Sequence, residues 1–89
     1  MQITALEWTE DNILHIARHR VDPEEVEEVC FSHSSYIERG HRGFYYITAQ
    51  TTAGRYLFVV LKLLGNGKAK PITARNMDEK EKQRYKQRR

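Results

Sequence analysis

A single cysteine, Cys30, leaves the chain unable to form an internal disulfide. That excludes the stapled scaffolds of small secreted domains and points to a reducing compartment. No apolar run approaches the roughly eighteen residues of a membrane-spanning helix; the longest, Tyr56 to Leu64, is interrupted by Lys62. The pattern also lacks a signal peptide, low-complexity tracts, internal repeats and a linker. The expectation is one cytoplasmic domain over residues 1–89, with no membrane partner.

Net charge is also small. A formal charge of +3 excludes a polycation, but the distribution is uneven. From Arg75 to Arg89 there are seven basic residues against three acids, whereas Asp22 to Glu28 carries five acids and no base. The acidic stretch reads as a solubilising face. The basic end creates a local positive field suited to anionic partners. A chain of this length buries only about 60–65% of its unfolded surface, which leaves room for a partner or a second copy to add stability.

The hydrophobic pattern predicts strand, helix, helix, four strands, helix. Ile3 to Trp8 alternates as a short strand. Thr9 is the expected N-cap of a first helix whose apolar face holds Ile13, Leu14, Ile16 and Ala17. Asp22, Pro23 and Glu25 spell a capping box with proline at the first helical position, and Val21 and Val26 have hydrophobic-staple spacing. Strands follow at Ser35 to Arg39, Phe44 to Thr51, Arg55 to Leu64 and Lys68 to Arg75. Pro71 suggests that the last of these is an edge strand or starts unpaired. Asn76 or Asp78 caps the final helix, with Asn76 and Glu79 fitting a capping box. The expected fold is α+β: one antiparallel meander sheet, two N-terminal helices packed on one face, and a basic C-terminal helix.

That last helix has only Met77 and Tyr85 as apolar anchors. It reads either as a solvated helix pinned at two points or as one laid against a partner or a phosphate backbone, with Lys80 and Arg84 among its cations. Arg75, where a β-branched run hands over to this helix, is a planar cation inside the positive field. It suits a phosphate contact and equally a salt bridge to Glu7 or Glu81. Arg42, on the turn Gly40-His41-Arg42-Gly43, is a further candidate phosphate contact. Tyr45 and Tyr46 point to opposite faces of a strand, so at most one is open for base stacking. His15 and His19 have the spacing of two zinc ligands, but no third ligand has diagnostic spacing. No metal or cofactor is expected.

An ordered set of segments carries a family resemblance: Leu6-Glu7-Trp8-Thr9-Glu10-Asp11-Asn12, Ala17-Arg18-His19-Arg20-Val21-Asp22-Pro23-Glu24-Glu25-Val26, Gly54-Arg55-Tyr56-Leu57-Phe58-Val59-Val60, and Ile72-Thr73-Ala74-Arg75 with Glu81 and Tyr85. Together they resemble the BrnT family of bacterial type II toxin–antitoxin toxins over nearly the whole chain. The resemblance implies a RelE-like fold and a ribonuclease that cleaves RNA. It also implies a small DNA-binding, BrnA-like antitoxin as partner, through which copies of the toxin assemble. The family's basic–His pair falls on Arg18-His19, its Ala-Arg on Ala74-Arg75, and its last-helix Glu and Tyr on Glu81 and Tyr85. Two departures stand out. Arg20 occupies a position that is usually glycine, as expected where a helix ends in a left-handed conformation. Arg18 replaces a lysine, keeping the charge while losing a group that titrates.

The chemistry is consistent with these residue types. Metal-free RNA cleavage uses the 2′-hydroxyl as internal nucleophile, and it needs an acid, a base and cations for the crowded phosphate. His19 suits either proton role near neutral pH, Arg75 suits phosphate stabilisation, and Arg18 suits phosphate positioning. The competing reading of His19 is an ordinary helix-end residue. The competing reading of the whole chain is a non-catalytic basic module that binds RNA or protein.

Overall fold

The computed structural model describes residues 3–88, so Arg89 of the basic end lies outside the described residues. The elements are β1 (Ala5–Leu6), α1 (Glu10–Ala17), α2 (Pro23–Cys30), β2 (Tyr36–Arg39), β3 (Phe44–Gln50), β4 (Tyr56–Gly65), β5 (Lys68–Asn76) and α3 (Glu79–Arg88). They form one five-stranded sheet in the order β1-β5-β4-β3-β2. Strands β2 to β5 run as an antiparallel meander. The sheet as a whole corrects the all-antiparallel expectation, because β1 joins β5 in parallel, pairing Ala5 with Lys68 and Leu6 with Ala69. A strand this short supplies no alternation long enough to fix its direction from sequence. Its place comes instead from backbone bonds such as Thr4 N–H to Gly67 O at 2.7 Å and Glu7 N–H to Ala69 O at 2.8 Å.

The pleat sorts the meander into two faces. On one face Ile47, Ala49, Leu57, Val59, Leu61, Ala69 and Ala74 are fully buried together with Ile16, Val26 and Val29 of the helices. Helix α1 lies against β5, and α2 against β3 and β4. The register shifts between Val60 and Leu61: Val60 faces Thr73, while Leu61 faces Pro71, so Ile72 is the extra residue of a bulge. Pro71 lacks an N–H and sits beyond the two residues of β5 that β1 pairs, so no ladder bond is lost on that side.

Local chemistry sets the helix ends. Thr9 Oγ1 accepts Asn12 N–H at 3.2 Å. The capping box at α2 is complete: Asp22 accepts Glu25 N–H at 3.0 Å and Glu25 accepts Asp22 N–H at 3.2 Å. After α1 the chain closes a Schellman turn, with Arg20 N–H on Ala17 O at 3.0 Å and Val21 N–H on Ile16 O at 3.2 Å. Arg20 is the left-handed residue of that turn, at φ 59°. The usual glycine geometry is therefore kept by a residue with a Cβ. Ile16 and Val21, the apolar pair that accompanies such a turn, are both in the core.

Arg55, just before β4, holds this turn to the sheet. Its Nη1 donates to Arg20 O at 2.5 Å and Glu25 Oε1 at 2.9 Å, its Nη2 to His19 O at 3.1 Å, and its Nε to Asn76 Oδ1 at 2.8 Å. The acids of α2 are correspondingly more than a solubilising face. Glu25 pairs with Arg55, Glu27 accepts Trp8 Nε1–H at 2.9 Å, and Glu28 accepts Thr52 N–H.

Two outcomes follow in chemical denaturation. Arg20→Gly removes the left-handed strain and raises stability by up to about 1 kcal/mol. Arg55→Met keeps the stem, leaves two carbonyls and Glu25 without their donor, and lowers stability by about 2 kcal/mol.

Candidate functional site

The second face of the sheet carries the candidate site. Arg75 pairs in register with Phe58, and its guanidinium lies over that ring at 4.4 Å. Met77 and Asp78 connect β5 to α3, and Asp78 forms the capping box with Glu81: Glu81 N–H donates to Asp78 Oδ1 at 2.8 Å and Asp78 N–H to Glu81 Oε1 at 2.9 Å. This corrects the Asn76–Glu79 expectation, since Asn76 is still in β5 and its side chain receives Arg55.

Glu81 also takes the end-on fork of Arg75, at 2.8 Å from Nη1 and 2.9 Å from Nη2. Nη1 donates besides to Asn76 O at 3.0 Å. The hydrogen bonds that Arg75 donates to Glu81 raise the Arg75 pKa against a smaller opposing effect of burial, and the same bonds hold the Glu81 carboxyl below its ordinary value against the same opposition. Glu81 is thus a poor proton acceptor near neutral pH. The side-on fork of Arg75, its Nε–H and second Nη2–H, has no partner among the described residues, and the side chain is 38% exposed.

Helix α3 lies across the same face. Tyr85 is buried, meets Tyr56 edge-on at 6.1 Å and donates its hydroxyl to Ser34 O at 2.9 Å. Lys82 and Lys86 stand over the Tyr56 ring at 5.2 and 5.3 Å, and Arg88 over Tyr36 at 4.1 Å with an ion pair to Glu38 at 3.4 Å. Phe58, Glu81, Arg84 and Tyr85 line a cleft of about 40 Å³ beneath the helix. The exposed Lys80 and Arg84 have no ion pair among the described residues. Of the tyrosine pair, Tyr45 is buried, while Tyr46 lies on the second face and stacks on Phe58 at 5.7 Å.

The structure therefore gathers Arg75, Glu81, Arg84 and Tyr85. Arg18 and His19 are exposed at the α1–α2 turn. The backbone N–H of His19 closes the helix end on Ile16 O, but among the described residues its ring makes no bond to the last carbonyls of the kind the competing reading gave it, and it meets the ring of His15 at 6.1 Å. His15 Nε2 lies 3.2 Å from Thr73 Oγ1. Thr73 faces Val60 and Arg75 faces Phe58, so the two are successive positions on one face of β5. Arg42 is elsewhere. Its turn bonds to Leu63 through Gly43 O, five residues along β4 from Phe58, which is about 17 Å at the usual strand rise.

Sequence reasoning missed the parts played by His15, Thr73 and Arg55. The four-residue spacing of His15 and His19 was a visible signal that pointed only to zinc. The contact of His15 with Thr73, 58 residues away, left none. Among the described residues no three His, Cys, Asp or Glu side chains gather as metal ligands. Cys30 is inert: burial first, and then the charge of Glu27, push its thiol up to about 12. No protein-family model matches the chain, and no curated protein matches it.

The Arg75–Glu81 pair predicts a pH signature. Because folding lowers the Glu81 pKa from 4.5, its contribution is present above that value and lost as pH falls below it. Glu81→Gln keeps the capping geometry and costs about 1 kcal/mol or less at pH 7, the exposure of Arg75 screening the pair. Urea titrations should show the parent and variant converging in acid.

Proposed function

We propose that the protein is a BrnT-like toxin of a type II toxin–antitoxin pair, with a RelE-like arrangement of two N-terminal helices on one face of the sheet and the active surface on the other. On this reading it is a metal-independent endoribonuclease of the cytoplasm. The observation that carries the reading is the placement of Arg75. A guanidinium fixed by Glu81 and Phe58 keeps its side-on fork open beside a basic helix, and Thr73, the preceding position on the same face of β5, lies 3.2 Å from His15 of the histidine pair. Arg75 binds the phosphate, His19 transfers a proton, and Arg18, Lys80 and Arg84 supply the surrounding field. Glu81 and Tyr85 support the site by holding Arg75 and α3 in place. Arg42 belongs at most to a distal phosphate.

The partner on this reading is a small DNA-binding antitoxin, ribbon–helix–helix or similar, that covers the basic surface with an acidic segment and joins toxin copies. A second reading, a non-catalytic module for RNA or protein, draws on the Arg75–Glu81 ion pair, which already neutralises the central cation.

Purified protein incubated with total RNA in the presence of a chelator should cut it. His19→Ala and Arg75→Ala should each lower the rate by about 100-fold or more. A folded parent that binds RNA without cutting it would favour the non-catalytic module. Cutting unchanged in both variants would reject the assigned site.

A further inference from the structure

Cleavage through the 2′-hydroxyl needs two proton-transfer groups, because the base that takes the nucleophile's proton is not placed to protonate the leaving oxygen on the far side of phosphorus. One of the two is His19. The neighbouring titratable groups are poorly suited to be the other. Glu81 is tied to Arg75 and held in its ionised form, and the Tyr85 hydroxyl is buried on Ser34 O. His33 sits in the loop after α2 and His41 on the β2–β3 turn. Cys30 is the last residue of α2, with its thiol held protonated by burial.

We infer that His15 is the second proton-transfer residue, and that His15 and His19 form one pair facing the phosphodiester held by Arg75. This rests on the ribonuclease reading above. Both histidines are exposed, and their rings meet edge-on at 6.1 Å. The Schellman turn holds them, since the His19 N–H is bonded to Ile16 O at 3.0 Å and its carbonyl to Arg55 at 3.1 Å.

The placement of His15 matters as much as the pairing. Its Nε2 already lies 3.2 Å from an alcohol oxygen, Thr73 Oγ1, one pleat along β5 from Arg75. An RNA 2′-hydroxyl is the same chemical group and takes the place of the Thr73 hydroxyl. In the step, the 2′-oxygen passes its proton to neutral His15 Nε2 and forms a bond to phosphorus. The bond from phosphorus to the 5′-oxygen breaks, and that oxygen takes a proton from protonated His19. The products are a 2′,3′-cyclic phosphate and a free 5′-hydroxyl. His15 ends protonated and His19 neutral, and exchange with water resets both.

The test uses the full chain and a defined single-stranded oligoribonucleotide in chelator. His15→Asn should cut at least about 100-fold more slowly. The same variant should bind a fully 2′-O-methylated copy of that RNA as the parent does, by fluorescence anisotropy. Added imidazole should restore part of the rate to His15→Ala, a recovery that a merely structural role would not give. His15→Asn cutting like the parent, while His19→Asn and Arg75→Lys fail, overturns the inference. If the folded parent does not cut at all, the ribonuclease reading fails separately. Histidine-ring NMR with uridine 3′-monophosphate then decides what remains. Shifts at both His15 and His19 keep the pair as a phosphate site and overturn its proton role; no shift at His15 overturns the pair as well.

Discussion

The arrangement of this small fold depends on the guanidinium of Arg55. Its donors reach two carbonyls of the α1–α2 turn, the capping carboxylate of α2 and the side chain at the end of β5. No lysine provides that set, because an ammonium offers three donors from one atom rather than a planar array. The consequence is geometric. The turn that presents His19 and the strand end that presents Arg75 are tied to the same rigid group, so two parts of the site far apart in sequence share one reference point. The half-buried pair with Glu25 is supported by further hydrogen bonds, the condition under which desolvating an ion pair is tolerable.

Helix α3 shows how a strongly polar segment packs on a sheet. It buries one large side chain, Tyr85, and covers the neighbouring aromatic surface with the stems and heads of Lys82, Lys86 and Arg88. Its two expected readings were alternatives, solvated or partner-facing. The structure divides them residue by residue: Lys82, Lys86 and Arg88 stand over aromatic rings, whereas the exposed Lys80 and Arg84 have no ion pair among the described residues. Net charge alone therefore overstates what is available to a nucleic acid.

Much of the fold was legible because local and global signals agree. The capping box at Asp22, the staple of Val21 and Val26, and the alternation along β3 and β4 each fix their element independently of context. The parallel docking of β1 was not legible, since two residues carry no periodicity and their partner lies more than sixty positions away. The Ile72 bulge was hidden for a related reason: Pro71 signals a ladder irregularity but not on which residue it falls. At the site, residue types were readable and partners were not. Arg75 carried two options, and Arg55 carried no signal at all because two of its four acceptors are backbone carbonyls and the other two lie 21 and 30 residues away.

The two options for Arg75 turn out to be compatible. A guanidinium has an end-on fork and a side-on fork, and Glu81 occupies the first. A phosphate approaching the side-on fork meets a cation already fixed in plane by a carboxylate and an aromatic face. Less side-chain entropy is then lost on binding than for a free arginine, which carries about 2 kcal/mol of rotamer freedom. Against that stands the negative charge of Glu81, whose exposed pair with Arg75 is worth about 1 kcal/mol or less. Lys80 and Arg84 on the same helix help to offset the field of the carboxylate on an approaching phosphate. On the ribonuclease reading, Glu81 is the residue that positions Arg75 rather than one that blocks it.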